Sequence, residues 1–96
     1  LAPMFALFYV ILAPFVGDSL SADELRGLTR AAYARFDHAA VVPLKQLDQR
    51  NWLLELLHGP TLAFKDVALQ LLGLLFERFL TGSDRHLTIV GATSGD

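Results

Sequence analysis

Cysteine is absent from this chain of 96 residues. That absence excludes disulfide bridges and thiolate metal sites, and it says nothing about the compartment. The three histidines, His38, His58 and His86, have no ligand-like spacing, so the sequence predicts no metal site. A basic surface is missing too, since the formal net charge is −2. We therefore expect no nucleic acid as a partner.

Charged residues are also missing from residues 1–16, which form one apolar run. The run is shorter than the roughly 20 residues that span a bilayer, and it has neither a basic start nor a small-residue cleavage pattern. Pro14 predicts that a helix ends near Leu12 or Ala13. A buried core helix is the favoured interpretation, with no membrane as a partner; a small membrane-associated helical protein is the alternative.

The overall composition is rich in apolar residues for so short a chain. Hydrophobic residues make up 53% and charged residues 19%. The chain starts at Leu1 and stops at Asp96, in what reads as a loop. We expect a piece of a longer protein, in which other segments cover the apolar surface and without which these residues aggregate or stay molten.

Local patterns predict a mixed α/β fold. Ser21 and Glu24 have the spacing of a capping box, which predicts an amphipathic helix over 22–35. Further along the chain the patterns indicate a hairpin, a long helix and a short buried strand of the parallel-sheet kind; the predicted elements are a strand at 41–47, a strand at 51–57, a helix at 66–80 and a strand at 87–90. Gly73, in the middle of the long helix, predicts close approach of a neighbouring element.

Two stretches carry residues suited to chemistry. In the first, His58 to Asp66, a turn at Gly59 and Pro60 leads to Lys65 at the mouth of an apolar helix, with Thr61 as a possible helix cap. Burying an ammonium group costs several kcal/mol unless it is paired or neutralised. A Schiff base is one way to neutralise it, and lysines in apolar pockets suit that chemistry.

The second stretch is the small, hydroxyl-rich turn that follows the strand predicted at 87–90. Its residues are Thr93, Ser94, Gly95 and Asp96. Open α/β sheets bind ligands at turns of this kind, beyond the carboxyl ends of their strands. The turn is therefore a candidate ligand site, although Thr93 and Ser94 could equally be ordinary helix caps.

Together these stretches resemble the threonine synthases, of the fold-type II family of pyridoxal-phosphate enzymes. The resemblance lies in LELLHGPTLAFKD over 54–66 and in LTIVGATSGD over 87–96, and it covers about residues 13–96, whereas residues 1–12 resemble the family only loosely. It implies a helical N-terminal region over 1–40, followed by the start of an open, truncated α/β catalytic domain over 41–96.

The resemblance also implies roles for individual residues. Lys65 is expected to form the Schiff base with pyridoxal 5′-phosphate (PLP) and then to act as general base and acid. Thr61 is expected to touch the cofactor, and Asp96 takes the place of an asparagine that bonds the cofactor's 3′ oxygen in many relatives. Hydroxyl and backbone groups of the terminal turn are expected to bind the substrate carboxylate; these are Thr93, Ser94 and Gly95.

The implied enzyme is a carbon–oxygen lyase of the cytoplasm that acts on a phosphate ester. It converts O-phospho-L-homoserine and water to L-threonine and phosphate, by γ-elimination followed by addition of water at the β-carbon. The cofactor's phosphate-binding loop is expected beyond Asp96, so the rest of its own polypeptide is required for turnover.

Other interpretations remain open. A serine/threonine dehydratase or a β-replacement synthase has the same fold type, although the His-Gly-Pro-Thr sequence before Lys65 argues against both. A non-catalytic homologue would keep the fold and bind the cofactor or a phosphorylated ligand. Without the resemblance, Lys65 would be a helix N-terminal lysine whose stem packs on apolar surface and whose amine reaches water.

Overall fold

The computed structural model describes residues 4–93 and 95. In chain order the structure contains two helices, a two-stranded hairpin and a third helix; the elements are α1 (Met4–Val16), α2 (Ala22–Tyr33), β1 (Leu44–Gln46), β2 (Trp52–Leu54) and α3 (Asp66–Leu80). Helix α2 packs against both α1 and α3. The three helices thus form one layer of packed structure beside the hairpin.

Helix α1 is longer and less buried than the sequence predicts. It continues through Pro14 to Val16, so the predicted end near Leu12 is wrong. Pro14 lies in the last turn, where few backbone hydrogen bonds remain to be broken by its missing N–H. No residue of α1 is fully buried, and Phe15 is 83% exposed. The expected buried core helix is instead a helix with one packed face and one open face.

The described residues contain no membrane-spanning candidate. Within residues 4–93 and 95, no helix combines the length and the hydrophobicity needed to cross a bilayer.

Helix α2 begins as its capping pattern predicts. The Ser21 hydroxyl oxygen accepts a hydrogen bond from the Glu24 N–H at 3.1 Å. The Glu24 carboxylate does not complete a capping box; it accepts from the Arg78 guanidinium of α3. Arg78 thereby links the start of α2 to the end of α3. The helix ends at Tyr33, two residues before the predicted end.

The hairpin forms where the polar turn predicts it, with shorter strands. Asp48 Oδ1 accepts from the backbone N–H groups of Arg50 and Asn51, at 2.8 and 2.9 Å. Each strand has three residues instead of seven. Val41 has a left-handed φ of 63°, which interrupts extended backbone, and Pro43 has no N–H to donate to the ladder.

The core lies between the three helices. Tyr33 is its centre: its ring stacks on Phe8 with centroids 3.9 Å apart, and its hydroxyl donates to the Val67 carbonyl at 2.9 Å. The remaining buried members of this cluster come from α2, the following loop and α3; they are Ala32, Phe36, Val41 and Leu71. The Tyr33 hydrogen bond joins α2 to the first turn of α3, and α3 begins immediately after Lys65.

Two predictions for the carboxyl-terminal third fail within the described residues. Residues 87–90 form no strand, and Val90 is 91% exposed. A strand needs a hydrogen-bonding neighbour, and the sheet of the described chain consists of β1 and β2 only. No described atom of a neighbouring element comes within 4 Å of a Cβ built on Gly73, so the close approach predicted there is not seen in the described part of the chain.

Candidate active site

The lysine stretch forms two consecutive tight turns before α3. The Leu62 N–H donates to the Gly59 carbonyl at 3.1 Å, and the Asp66 N–H donates to the Ala63 carbonyl at 3.1 Å. Leu62 adopts a left-handed φ of 65°, which is unfavourable for a residue with a side chain. We call residues 59–65 the lysine turn. Its strained residue indicates that other contacts hold it in shape.

Asp66 supplies those contacts. Its side chain is among the most buried of the described residues, at 1% exposure. Its Oδ2 accepts from the Thr61 N–H and its Oδ1 from the Thr61 hydroxyl, both at 2.9 Å. Gln70 Nε2 donates to Oδ1 at 3.2 Å. The carboxylate therefore closes the lysine turn from inside, and the turn covers it from water.

The charge state of Asp66 follows from two opposing effects. Burial raises the pKa of the carboxyl, and the hydrogen bonds from the N–H and hydroxyl of Thr61, from Gln70 and from the Leu62 N–H lower it. The net result is a pKa below the ordinary value for aspartate. Asp66 is thus an anion whose charge is satisfied by hydrogen-bond donors of the lysine turn and by Gln70 of α3.

Gly59 permits this closure. A Cβ built on Gly59 would lie 2.4 Å from both the Cβ and the Oδ2 of Asp66. Real carbon atoms do not approach so closely, so any larger residue would push the carboxylate and the turn apart. The glycine is needed here for close approach and not for its φ, which lies outside the left-handed region.

Lys65 occupies the junction between the turn and the helix. It is the N-cap residue of α3, with helical φ and ψ of −68° and −12°. Its carbonyl accepts from the N–H groups of Ala68 and Leu69 at 3.2 and 2.9 Å, and its side chain is partly buried. The expected cap, Thr61, does not cap α3, because its hydroxyl donates to the Asp66 side chain instead.

Two side-chain hydrogen bonds connect this junction to Arg35, which lies just beyond the end of α2. Gln70, which donates to Asp66, accepts in turn from Arg35 Nη1 at 2.9 Å. Tyr33 fixes the same helix turn through Val67. The start of α3 is therefore held at two points, by a half-buried bond from Tyr33 of α2 and by an exposed bond from Arg35 in the segment that follows α2.

His58 stabilises the chain that leads into the turn. Its carbonyl accepts from the Asp37 N–H at 2.9 Å, which ties the start of the lysine stretch to the segment after α2. Its Nε2 lies 3.0 Å from Glu55 Oε1. No cluster of His, Cys, Asp and Glu suited to a metal ion occurs within residues 4–93 and 95.

The second predicted ligand turn is described only in part. Thr93 is exposed, and its hydroxyl oxygen accepts from the Gly95 N–H at 3.3 Å. Gly95 has a left-handed φ of 98°. The roles predicted for Ser94 and Asp96 lie outside the described residues. The structure thus brings Thr61 and Lys65 together through Asp66, and it shows Thr93 and Gly95 in an exposed segment after α3.

The role of Asp66 was not predicted from the sequence. An aspartate at a helix start ordinarily complements the helix dipole, yet the Asp66 oxygens accept from Thr61, which lies upstream of α3. The available signal was a threonine five residues before an aspartate at a helix start, with a glycine two residues earlier. That pattern places a donor, an acceptor and room for close approach within one turn.

Comparison with known proteins identifies relatives of this chain. No protein-family model matches it. It is 46% identical over 94 residues to the threonine synthase of Pseudomonas aeruginosa, covering 98% of this chain and 20% of that protein. It is 54% identical over 87 residues to the threonine synthase of Schizosaccharomyces pombe, covering 82% of this chain and 17% of that protein.

Solved structures agree with the sequence relatives. A PLP-bound threonine synthase from Brucella melitensis superposes with a TM-score of 0.78 at 43% identity, covering 82% of this chain and 17% of that one. Yeast threonine synthase gives a TM-score of 0.78 at 39% identity. These structures confirm the predicted fold class, an α/β segment of a fold-type II enzyme. The chain spans about a fifth of the length of these relatives and belongs to the threonine synthase family.

Proposed function

We propose that this chain carries the cofactor lysine of a PLP-dependent threonine synthase. The full-length enzyme would convert O-phospho-L-homoserine and water to L-threonine and phosphate. The observation that carries the proposal is the position of Lys65, at the N-cap of α3 and at the end of a turn held by a buried carboxylate. Its support comes from relatives named threonine synthase, one of them solved with PLP bound.

The residues of the lysine turn fit the proposed cofactor. Lys65 supplies a primary amine at a rigid helix start, which a covalent carbonyl cofactor requires. Leu62 and Phe64 expose apolar side chains in the same turn, at 68% and 64% exposure. Such surface suits the face of an aromatic ring. Thr61 donates its hydroxyl hydrogen to Asp66, so its oxygen could approach the cofactor only as an acceptor.

The proposed chemistry divides between the cofactor and the chain. When bound, PLP withdraws electrons from the substrate carbon next to the imine. The Lys65 amine binds the cofactor covalently, and once substrate has displaced it, it accepts and returns protons during the elimination and the addition of water. Its backbone, fixed at the N-cap of α3, keeps the amine near the substrate carbons.

The terminal loop would bind the substrate. Thr93, Ser94 and Gly95 are proposed to donate hydroxyl and backbone N–H groups to the substrate carboxylate. The Gly95 N–H now donates to Thr93 Oγ1, so it would exchange that partner for the carboxylate when substrate binds. Asp96 is proposed to hydrogen-bond the cofactor's 3′ oxygen.

Three broader assignments belong to the same proposal. Residues 1–40 form the helical N-terminal region, and residues 41–96 begin the catalytic domain. The remaining parts of the active site come from the rest of the polypeptide, and the enzyme works in the cytoplasm.

The test uses the full-length protein and the two lysines of this chain, Lys45 and Lys65. Borohydride reduction of the PLP-loaded protein, followed by peptide mapping, is expected to label Lys65. Lys65→Ala is expected to lose that label and to slow phosphate release from O-phospho-L-homoserine by at least about 10²–10⁴-fold, the usual contribution of a general acid–base group.

Lys45→Ala is the matched control, because Lys45 lies in the exposed strand β1. It is expected to keep both label and activity. Label on a lysine other than Lys65, or full phosphate release by Lys65→Ala, would refute the proposal. Release of phosphate together with threonine also separates a threonine synthase from a dehydratase, which forms a keto acid and ammonia.

A further inference from the structure

We propose that Asp66 is a positioning residue for Lys65, whose carboxylate holds the lysine turn in the one conformation that presents the amine. The inference rests on the proposed function for its catalytic consequence. The structural part of the inference, that Asp66 fixes the conformation of the lysine turn, does not depend on which reaction the enzyme catalyses.

The direction of the hydrogen bonds argues against a simple dipole role. A carboxylate that only complements a helix dipole lies at the helix surface near its first N–H groups. Asp66 is 1% exposed, and its two oxygens accept from Thr61, five residues before it. Burial of an anion is unfavourable without such donors. Gln70 of α3 also donates to Oδ1, so the carboxylate joins the lysine turn to the helix.

The lysine turn contains a strained residue, so its conformation requires stabilising contacts. Leu62 is in left-handed backbone, and Gly59 touches the Asp66 side chain at a distance that leaves no room for a Cβ. A strained residue persists only when its surroundings determine its conformation. Removal of the carboxylate would free Thr61 and let Leu62 relax, and the chain between Gly59 and Lys65 would then sample other shapes.

The position of Lys65 depends on the same contacts. Lys65 directly precedes Asp66 and has its backbone fixed at the start of α3. Gln70 and Arg35 extend the hydrogen bonds of Asp66 to the segment that follows α2. The starting point of the lysine side chain is thereby set relative to the helical layer. Displacement of a reacting group by about 1 Å can slow a reaction about 10²-fold.

The principal variant is Asp66→Asn in the full-length protein. It keeps the size of the side chain but turns one acceptor oxygen into a donor that faces the Thr61 hydroxyl. We expect exchange of the Thr61 amide hydrogen to become at least about tenfold faster, since its acceptor is weakened. We expect kcat for phosphate release to fall about 10–100-fold with KM changed less than about threefold.

A second readout follows the amine directly in the cofactor-free protein. Trace acetylation, quantified by mass spectrometry, gives the ratio of labelling at Lys65 to labelling at Lys45. Asp66→Asn is expected to change this ratio by more than about threefold, because the Lys65 amine gains new environments while Lys45 in β1 does not. A role in overall stability alone would not move the ratio.

Milder and control variants accompany it. Thr61→Val removes the hydroxyl donor. It is expected to shift the labelling ratio and kcat in the same direction as Asp66→Asn, by a smaller factor. Thr61→Ser restores the hydroxyl and is expected to return both quantities towards the wild-type values. Asp18→Asn is the matched control, because Asp18 is exposed in the loop between α1 and α2. It is expected to change nothing.

The outcomes separate this inference from the proposed function. Unchanged amide exchange and labelling ratio in Asp66→Asn overturn it, as does a fall in kcat without a change in the ratio. Should Asp66→Asn not fold, Thr61→Val decides: a shifted ratio rescued by Thr61→Ser supports the inference, and a wild-type ratio overturns it. Absence of borohydride label on Lys65 refutes the proposed function instead.

Discussion

The two turns that the sequence marked for ligand binding differ in what holds them. The lysine turn is closed by a buried carboxylate and two backbone turns, and it includes a strained residue, Leu62. In the terminal loop the described residues 91–93 and 95 are exposed, and the Gly95 N–H donates to the Thr93 hydroxyl oxygen. A turn can therefore be preorganised by residues next to it in sequence, or it can depend on neighbours from elsewhere.

Helix α3 separates the two regions and is anchored differently at its two ends. Its first turn receives a half-buried hydrogen bond from Tyr33 and is joined to Arg35 through Gln70. Its last turn is held to α2 by the pair of Glu24 and Arg78, whose side chains are 38% and 45% exposed. Exposed ion pairs contribute little to stability. The end that carries Lys65 is thus the rigid end.

The largest expected difference in stability is between two glycine-to-alanine variants, one in the lysine turn and one in the terminal loop. Gly59→Ala should lower the free energy of unfolding by about 1–3 kcal/mol, because its Cβ would overlap Asp66. Gly91→Ala should change it by less than about 0.5 kcal/mol, because nothing lies within 4 Å and φ is ordinary. Urea unfolding of the full-length protein measures both. Equal losses in the two variants would show that the regions are equally constrained.

A smaller effect is expected at the anchor of α3. Tyr33→Phe removes the donor to the Val67 carbonyl and should cost about 0.5–1.5 kcal/mol. The same substitution at Tyr9 keeps the ring on which Arg26 lies and is the matched control. Faster exchange of amides in the first turn of α3 should accompany the loss in Tyr33→Phe. Unchanged exchange there would contradict the anchoring role.

The smallest effect is expected at the exposed end of α3. The hydrogen bond from Arg78 is the main reason that the pKa of Glu24 lies below its ordinary value, although partial desolvation opposes the shift. A carboxyl with a lowered folded-state pKa stabilises the fold above its unfolded-state pKa, and that stabilisation is lost as pH falls through the folded-state value.

Glu24→Gln should therefore cost a little stability at neutral pH and nothing at pH well below the lowered pKa. Addition of salt should shrink the difference, because screening weakens exposed pairs. Unfolding curves at neutral and acidic pH, each with and without about 1 M salt, provide the measurement. A difference that persists in acid and in salt would show that Glu24 acts by packing.

Much of the fold was predictable because it depends on neighbours in sequence. Ser21 and the spacing of apolar residues identified α2, and the polar run containing Asp48 identified the hairpin turn. Helix α3 has the predicted bounds, Asp66–Leu80. The strand at 87–90 was not recoverable in the described chain, because a strand requires a partner that local sequence does not supply.

The candidate site also has one part that could be predicted from the sequence and one part that could not. Lys65 was identifiable from the residues around it, and the family to which the chain belongs confirms the resemblance they carry. The roles proposed for the site residues stay predictions; these residues are Thr61, Lys65, Thr93, Ser94, Gly95 and Asp96. The interaction between Thr61 and Asp66 was not foreseen, since propensity assigns a threonine to a cap and an aspartate to the dipole without saying which pair will meet.

By itself the sequence determined the family, the positions of α2 and α3, and the lysine at the mouth of an apolar helix. These follow from residue identity and short-range periodicity. Only the tertiary structure decided that Asp66 is buried against Gly59, that Leu62 is held in left-handed backbone, and that α2 anchors the first turn of α3. The reason is physical: burial and hydrogen-bond partners depend on which segments meet in space, and local sequence preferences do not specify that.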